Sequence, residues 1–237
     1  MSGHSKWSKV KHQKATTDVL KAAAFTRASR AITIAVKDGG GVTDPNTNFH
    51  LRLAIEKARD VNMPKDNIER AIDKAKGDDG DSIHQILYEG YGPHGVALYI
   101  EAATNNVNRT VSYLKQVLDH AGGSMATPGA VSYLFDRMGV ILTSKDIAYD
   151  TMLTHALESN ARDVVEKEDA YELYTEPDQL MAVKKKLDEK QVPVDSYSLI
   201  MIAKANVELT DIQMKEIDSL IERIEESDDI QRVYTNM

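Results

Sequence analysis

Around residue 78 the apolar residues of this chain change their spacing, and that change limits the folds open to it. Up to Gly77 they recur at helical intervals; after Asp81, short apolar runs alternate with further helical stretches. The chain is therefore expected to be α+β, an all-helical part followed by mixed sheet and helix. Over 18–37, Phe25, Ala28, Ile32, Ala35 and Val36 share one helical face, and Arg27, Arg30 and Lys37 fall on the opposite one. Gly39, Gly40 and Gly41 end that helix by supplying the positive φ of a C-terminal cap. A second helix over 47–61 is expected to bury the stripe Leu51, Ala54, Ala58 and Val61. Pro64 opens a third, with Ile68, Ala71, Ile72 and Ala75 inward, and Gly77 closes it. Three short amphipathic helices cannot bury their stripes singly, so a three-helix bundle is expected.

Asp78-Asp79-Gly80-Asp81 has the composition of a linker. Strands are then expected over 85–91 and 96–103 around the turn Gly92-Pro93-His94-Gly95. A helix over 107–121, closed by Gly122-Gly123, and a strand over 130–136 follow. From Gly139 the order is strand (140–143), helix (146–159), strand (163–166), strand (170–175), helix (177–190) and strand (195–203), the β-α-β-β-α-β order of a ferredoxin-like domain. A last helix (211–226) and strand (230–234) complete the earlier α/β piece. The expected domains are 1–78, a discontinuous 79–136 with 206–237, and an inserted 137–205.

Net charge is −8, yet it is unevenly spread. Residues 1–77 hold 15 Lys and Arg against 8 Asp and Glu, a surplus of +7, while 78–237 hold 14 against 29, a deficit of −15. Such asymmetry points to a polyanion partner at one end, with the acidic remainder repelling phosphate and orienting the encounter. The most informative stretch is Ser2 to Lys14. It packs four lysines, two histidines, three serines and the sole tryptophan into thirteen residues. Lys6, Lys9, Lys11 and Lys14 would neutralise phosphates, the serines would donate to phosphate oxygens and Trp7 would stack on a base, with His4 and His12 among the candidate contact residues. The alternative is a solvated terminus with Trp7 tucked onto the helices. Arg27, Arg30 and Lys37 extend the candidate surface. Lys65, at the start of the third helix, adds a cation where a phosphate could sit, although a plain helix start explains that segment more readily.

The chain has no cysteine, which excludes disulfides, thiolate metal sites and cysteine nucleophiles. No run of about 18 apolar residues is present, and the polar, basic N-terminus has neither a signal-peptide core nor a transit extension. A cytoplasmic protein with no membrane partner is expected. The histidines do not stand at ligand spacing. Asp44, Asn46 and Asn48 imitate the start of a calcium loop, but Phe49 replaces its glycine and Ile55 its bidentate glutamate. No nucleophile elbow, phosphate-binding loop or zinc-protease motif occurs. The expectation is a non-enzyme with no catalytic residues, metal, cofactor or small-molecule substrate.

Longer blocks carry a family resemblance. Ser-Gly-His-Ser-Lys-Trp at 2–7, Lys11-His12, the three glycines at 39–41, the segments 51–58 and 62–72, Tyr88-Glu89-Gly90-Tyr91-Gly92-Pro93 and Asn108-Arg109-Thr110 together resemble the YebC/PmpR family along the whole chain. That resemblance implies an N-terminal helical bundle and two ferredoxin-like domains. It also implies regulation of gene expression, either as a DNA-binding transcriptional regulator or as a ribosome-associated translational activator on ribosomal RNA, like the mitochondrial activator of cytochrome c oxidase subunit I. Relatives carry a Lys-Arg-Gly-Lys-like cluster just before the Phe-Thr of the first helix. Here Val19-Leu20-Lys21-Ala22-Ala23-Ala24 stands there, which shifts the expected contact onto Lys6, Lys9, Lys11 and Lys14. The start of the chain at the motif itself favours a bacterial cytosolic member.

Overall fold

The computed structural model describes residues 18–77 and 83–237, with side chains from residue 21 onward. The 78–81 linker and His4, Lys6, Trp7, Lys9, Lys11, His12 and Lys14 lie outside the described residues. Three helices come first: α1 (Asp18–Asp38), α2 (Phe49–Asp60) and α3 (Lys65–Lys76). Then follow β1 (His84–Tyr91), β2 (Ala97–Thr104), α4 (Val107–His120), β3 (Ser124–Ala126), β4 (Phe135–Ser144), α5 (Tyr149–Ser159), β5 (Asp163–Glu166), β6 (Ala170–Thr175), α6 (Leu180–Glu189), β7 (Val194–Ala203), α7 (Asp211–Glu225) and β8 (Ile230–Thr235).

The helical region closes over its own core. Ala28, Ile32, Ala35 and Val36 of α1 pack with Leu51, Ala54, Ile55 and Ala58 of α2 and with Ile68, Ala71 and Ala75 of α3. Both α2 and α3 pack chiefly on α1. The glycine stop behaves as its sequence requires: Gly41 N–H donates to Val36 O at 2.8 Å and Gly40 N–H to Lys37 O at 3.0 Å, with both glycines at positive φ. Buried Asn48 joins this loop to the next helix. Its Oδ1 caps α2 by accepting from Leu51 N, and its Nδ2 donates to Ala35 O at 2.8 Å and Val42 O at 2.9 Å. Asn48→Ala removes the cap and leaves two carbonyls without that donor. We expect a loss of about 2–3 kcal/mol in the helical region, read from amide exchange of its core helices.

The first sheet runs β3-β1-β2-β8, with each neighbouring pair antiparallel. Its β2-α4-β3 unit leaves a gap that β1 fills, and β8 arrives from the far end of the chain to lie beside β2. This is the discontinuous α/β domain. One face is apolar: Tyr88, Leu98, Ile100 and Ala102 meet Leu114, Val117 and Leu118 of α4 and Ile217, Leu220, Ile221 and Ile224 of α7. The second sheet runs β5-β6-β4-β7. Together with α5 and α6 it has the ferredoxin-like strand order expected from β-α-β-β-α-β. The described residues up to Leu134, together with Ala203–Met237, form one compact unit, and Phe135–Ile202 form a second.

One expected strand is absent. Residues 130–134 are turn and a short 3₁₀ segment, and the third strand of the first sheet is instead β3 at Ser124–Ala126. The cause is Glu89. Its buried carboxylate accepts from the backbone N–H groups of Gly129 (2.7 Å), Val131 (2.5 Å) and Ser132 (3.0 Å), so a side chain takes the donors that a ladder would need. Burial pushes the Glu89 carboxyl up, but these three N–H groups outweigh it and hold it below its usual range. The strand expected over 140–143 begins earlier, at Phe135.

Candidate nucleic-acid interface

The cations of α1 do not share one surface. Arg27 and Arg30 point at the sheet domain, at the place where α7 ends and β8 begins. Arg27 Nη1 donates to Glu225 O at 2.8 Å. Arg30 Nη1 donates to Asp228 O at 2.7 Å and Ala103 O at 3.1 Å, and forms an ion pair with Asp229 Oδ1 at 2.6 Å. The last carbonyls of a helix have no partner of their own and carry its negative dipole end, so the Arg27 guanidinium fits there well, while Arg30 takes carbonyls just beyond the helix and on β2. Lys37, one turn short of the glycine loop, is exposed. Lys65 is exposed at the first turn of α3, 3.4 Å from Glu69, in an i,i+4 pair that contributes little to stability. Elsewhere on α3, Arg70 is bonded to Asp66 O and Asn67 Oδ1, and Lys76 is paired with Asp73 at 2.8 Å.

Asp229 is the centre of the junction. Only 4% exposed, it accepts from Arg109 Nη2 at 2.8 and 2.9 Å, from Arg109 Nε at 3.2 Å and from Thr110 Oγ1 at 2.8 Å, in addition to Arg30. The Thr110 hydroxyl lies 2.9 Å from that of Thr104, whose oxygen accepts from Asn106 N–H. Burial pushes the Asp229 carboxyl up, but the hydrogen bonds from Thr110, Arg109 and Arg30 outweigh it and hold it below its usual range. Arg109 also reaches Asn105 Oδ1 and keeps about half its side chain in solvent.

Sequence reasoning put Arg27 and Arg30 on an open face because it saw only the stripe they oppose. It used Arg109 and Thr110 only as part of a family block, and Asp229 not at all. A single aspartate in an acidic C-terminal stretch carries no local signal, because its partners lie 120 and 199 residues away.

Comparison with known proteins covers the whole chain. Residues 5–78 match the family model described as TACO1/YebC protein N-terminal domain, and residues 83–237 match the one described as TACO1/YebC second and third domain. A probable transcriptional regulatory protein of Geobacter sulfurreducens is 42% identical over 237 residues, covering 100% of this chain and 95% of that protein. One from Nitratiruptor is 43% identical over 238 residues, covering both chains completely. The crystal structure of the conserved hypothetical protein Aq1575 of Aquifex aeolicus superposes with a TM-score of 0.86 at 35% identity, covering 98% of this chain and 96% of that one.

Proposed function

Because the chain belongs to the TACO1/YebC family, whose similar members are named probable transcriptional regulatory proteins, we propose that it is a nucleic-acid-binding regulator of gene expression that acts on DNA. The observation that carries this is the charge division: +7 in residues 1–77 against −15 in the rest. The contact surface is the segment with His4, Lys6, Trp7, Lys9, Lys11, His12 and Lys14, extended by the exposed Lys37 and Lys65. Binding is dominated by phosphate contacts rather than by base edges, because Arg27 and Arg30, the two arginines of α1, are engaged inside the protein. That same feature favours a second target, ribosomal RNA, in which case the protein acts as a ribosome-associated translational activator.

Ribosome co-sedimentation at physiological salt, run beside binding to promoter fragments, separates the two. Retention on one DNA sequence with no ribosome association supports the transcriptional role; the reverse result transfers the protein to translation. Replacing Lys6, Lys9, Lys11 and Lys14 with alanine is expected to reduce the slope of log K against log salt by roughly 3–4. An unchanged slope would move the contact surface off this segment.

A further inference from the structure

The helical region and the first sheet domain have separate apolar cores with no residue in common. What joins them at Arg27 and Arg30 is polar: two guanidiniums donating to three backbone carbonyls and one carboxylate. Among the described residues the helical region is contiguous and gives no strand to either sheet, so it can separate from the sheet domain without breaking a ladder. The centre of the junction is also built like a phosphate site. Arg109 offers Nε and Nη2 to both oxygens of Asp229, Arg30 offers Nη1, and Thr110 adds a hydroxyl. Guanidinium forks and hydroxyls of this kind bind a phosphate oxyanion with the same donors and similar distances.

We propose that Asp229 is a latch: its carboxylate occupies a phosphate-binding set made by Arg30, Arg109 and Thr110, and a nucleic-acid backbone opens the junction by taking those donors. The latch rests on the nucleic-acid role proposed above and describes how that role is regulated. In the closed state the donors of Arg27 and Arg30 are engaged at the junction, and the helical region offers phosphate its other cations. Arg109, about half exposed, is where an incoming phosphate makes first contact. Once Arg109 turns to the phosphate, Asp229 loses its two-point partner, and Arg30 and then Arg27 become available. The open state therefore engages more phosphates than the closed one, and affinity is set by the balance between one buried carboxylate and the competing backbone.

Asp229→Asn keeps the shape of the side chain and removes its charge. Binding of a fluorescein-labelled 20-base-pair DNA duplex and a 20-nucleotide RNA hairpin is measured across a salt series. The expected result is binding tighter by roughly threefold or more, with a log–log salt slope steeper by up to about 2, the contribution of Arg27 and Arg30. Asp228→Asn deletes a neighbouring exposed charge without touching the arginine donors, and it should show neither the steeper slope nor the full gain. Equal effects of the two variants would overturn the latch. The absence of cysteine allows a second measurement that needs no change at Asp229. Dyes on Val61→Cys, in the helical region, which the structure leaves exposed rather than buried with its expected stripe, and on Lys115→Cys, on α4, should lose energy transfer when either probe saturates the protein. Transfer unchanged at saturation overturns the latch and leaves nucleic-acid binding standing. Failure of every variant to bind either probe at low salt removes the nucleic-acid role itself, and the latch with it.

Discussion

Replacing Glu89 with alanine is expected to destabilise the first sheet domain by roughly 3 kcal/mol. Three backbone N–H groups lose their acceptor together, and each buried donor left unsatisfied costs about 1–3 kcal/mol, partly recovered where water enters. Val131, whose N–H approaches Glu89 at 2.5 Å, is fully buried, so water reaches that amide least easily. Tyr91 Oη, which donates to Ala130 O, keeps one tie on the loop and sets a limit to its release. Because the chain divides into two compact units, the effect is best read from amide exchange at Gly129, Val131 and Ser132 rather than from a single melting curve. Glu89→Gln retains a carbonyl acceptor and should lose about half as much. Equal protection of those amides in wild type and Glu89→Ala would show that the loop is held by something else.

The second large effect is at Asp229 and depends on pH. Asp229→Ala leaves Arg30 and Arg109 facing one another with no carboxylate between them, and breaking a buried pair in this way costs about 3–5 kcal/mol. The half-exposed Arg109 can rehydrate, which places the expectation near 3 kcal/mol. In the wild type the same interaction weakens in acid. Both Asp229 and Glu89 have folded-state carboxyls held below their ordinary values, 3.8 for Asp and 4.5 for Glu. Their contribution is therefore complete above those values and is lost as pH falls from them through the lower folded values. Denaturant midpoints should be flat near neutrality and decline from about pH 4.5 downward. The double variant Glu89→Gln/Asp229→Asn should show a shallower acid decline than the wild type. An identical acid profile would mean that other carboxylates control it.

Much of the fold was legible because its signals are local. The stripe 28, 32, 35 and 36, the glycines at 39–41 and the proline at 64 each act within a turn of where they stand, and the three helices follow within a few residues of expectation. The β-α-β-β-α-β order over the inserted domain was legible for the same reason. The strand expected over 130–136 failed because buried Val131 and Phe135 with exposed Tyr133 between them imitate strand alternation, while the residue that takes up the backbone donors is Glu89, some forty positions earlier. Arg27 and Arg30 show a related limit. A helical wheel shows that they oppose the stripe, but not that a second domain covers that face. The basic segment at 4–14 lies outside the described residues, so its role rests on charge and family alone.

The connection of Arg30 to Asp229 has a consequence for biosynthesis. The two are 199 residues apart, and Asp229 comes just before β8, the last strand among the described residues. At about 5–20 residues per second, roughly 10–40 s pass between the synthesis of one and that of the other. Throughout that interval a nascent chain displays Arg30 with no Asp229 carboxylate to receive it. A chain cut short by even its final ten residues would keep the basic region and lack the group that restrains it. The charge balance of the first helix thus depends on a carboxylate made long after it.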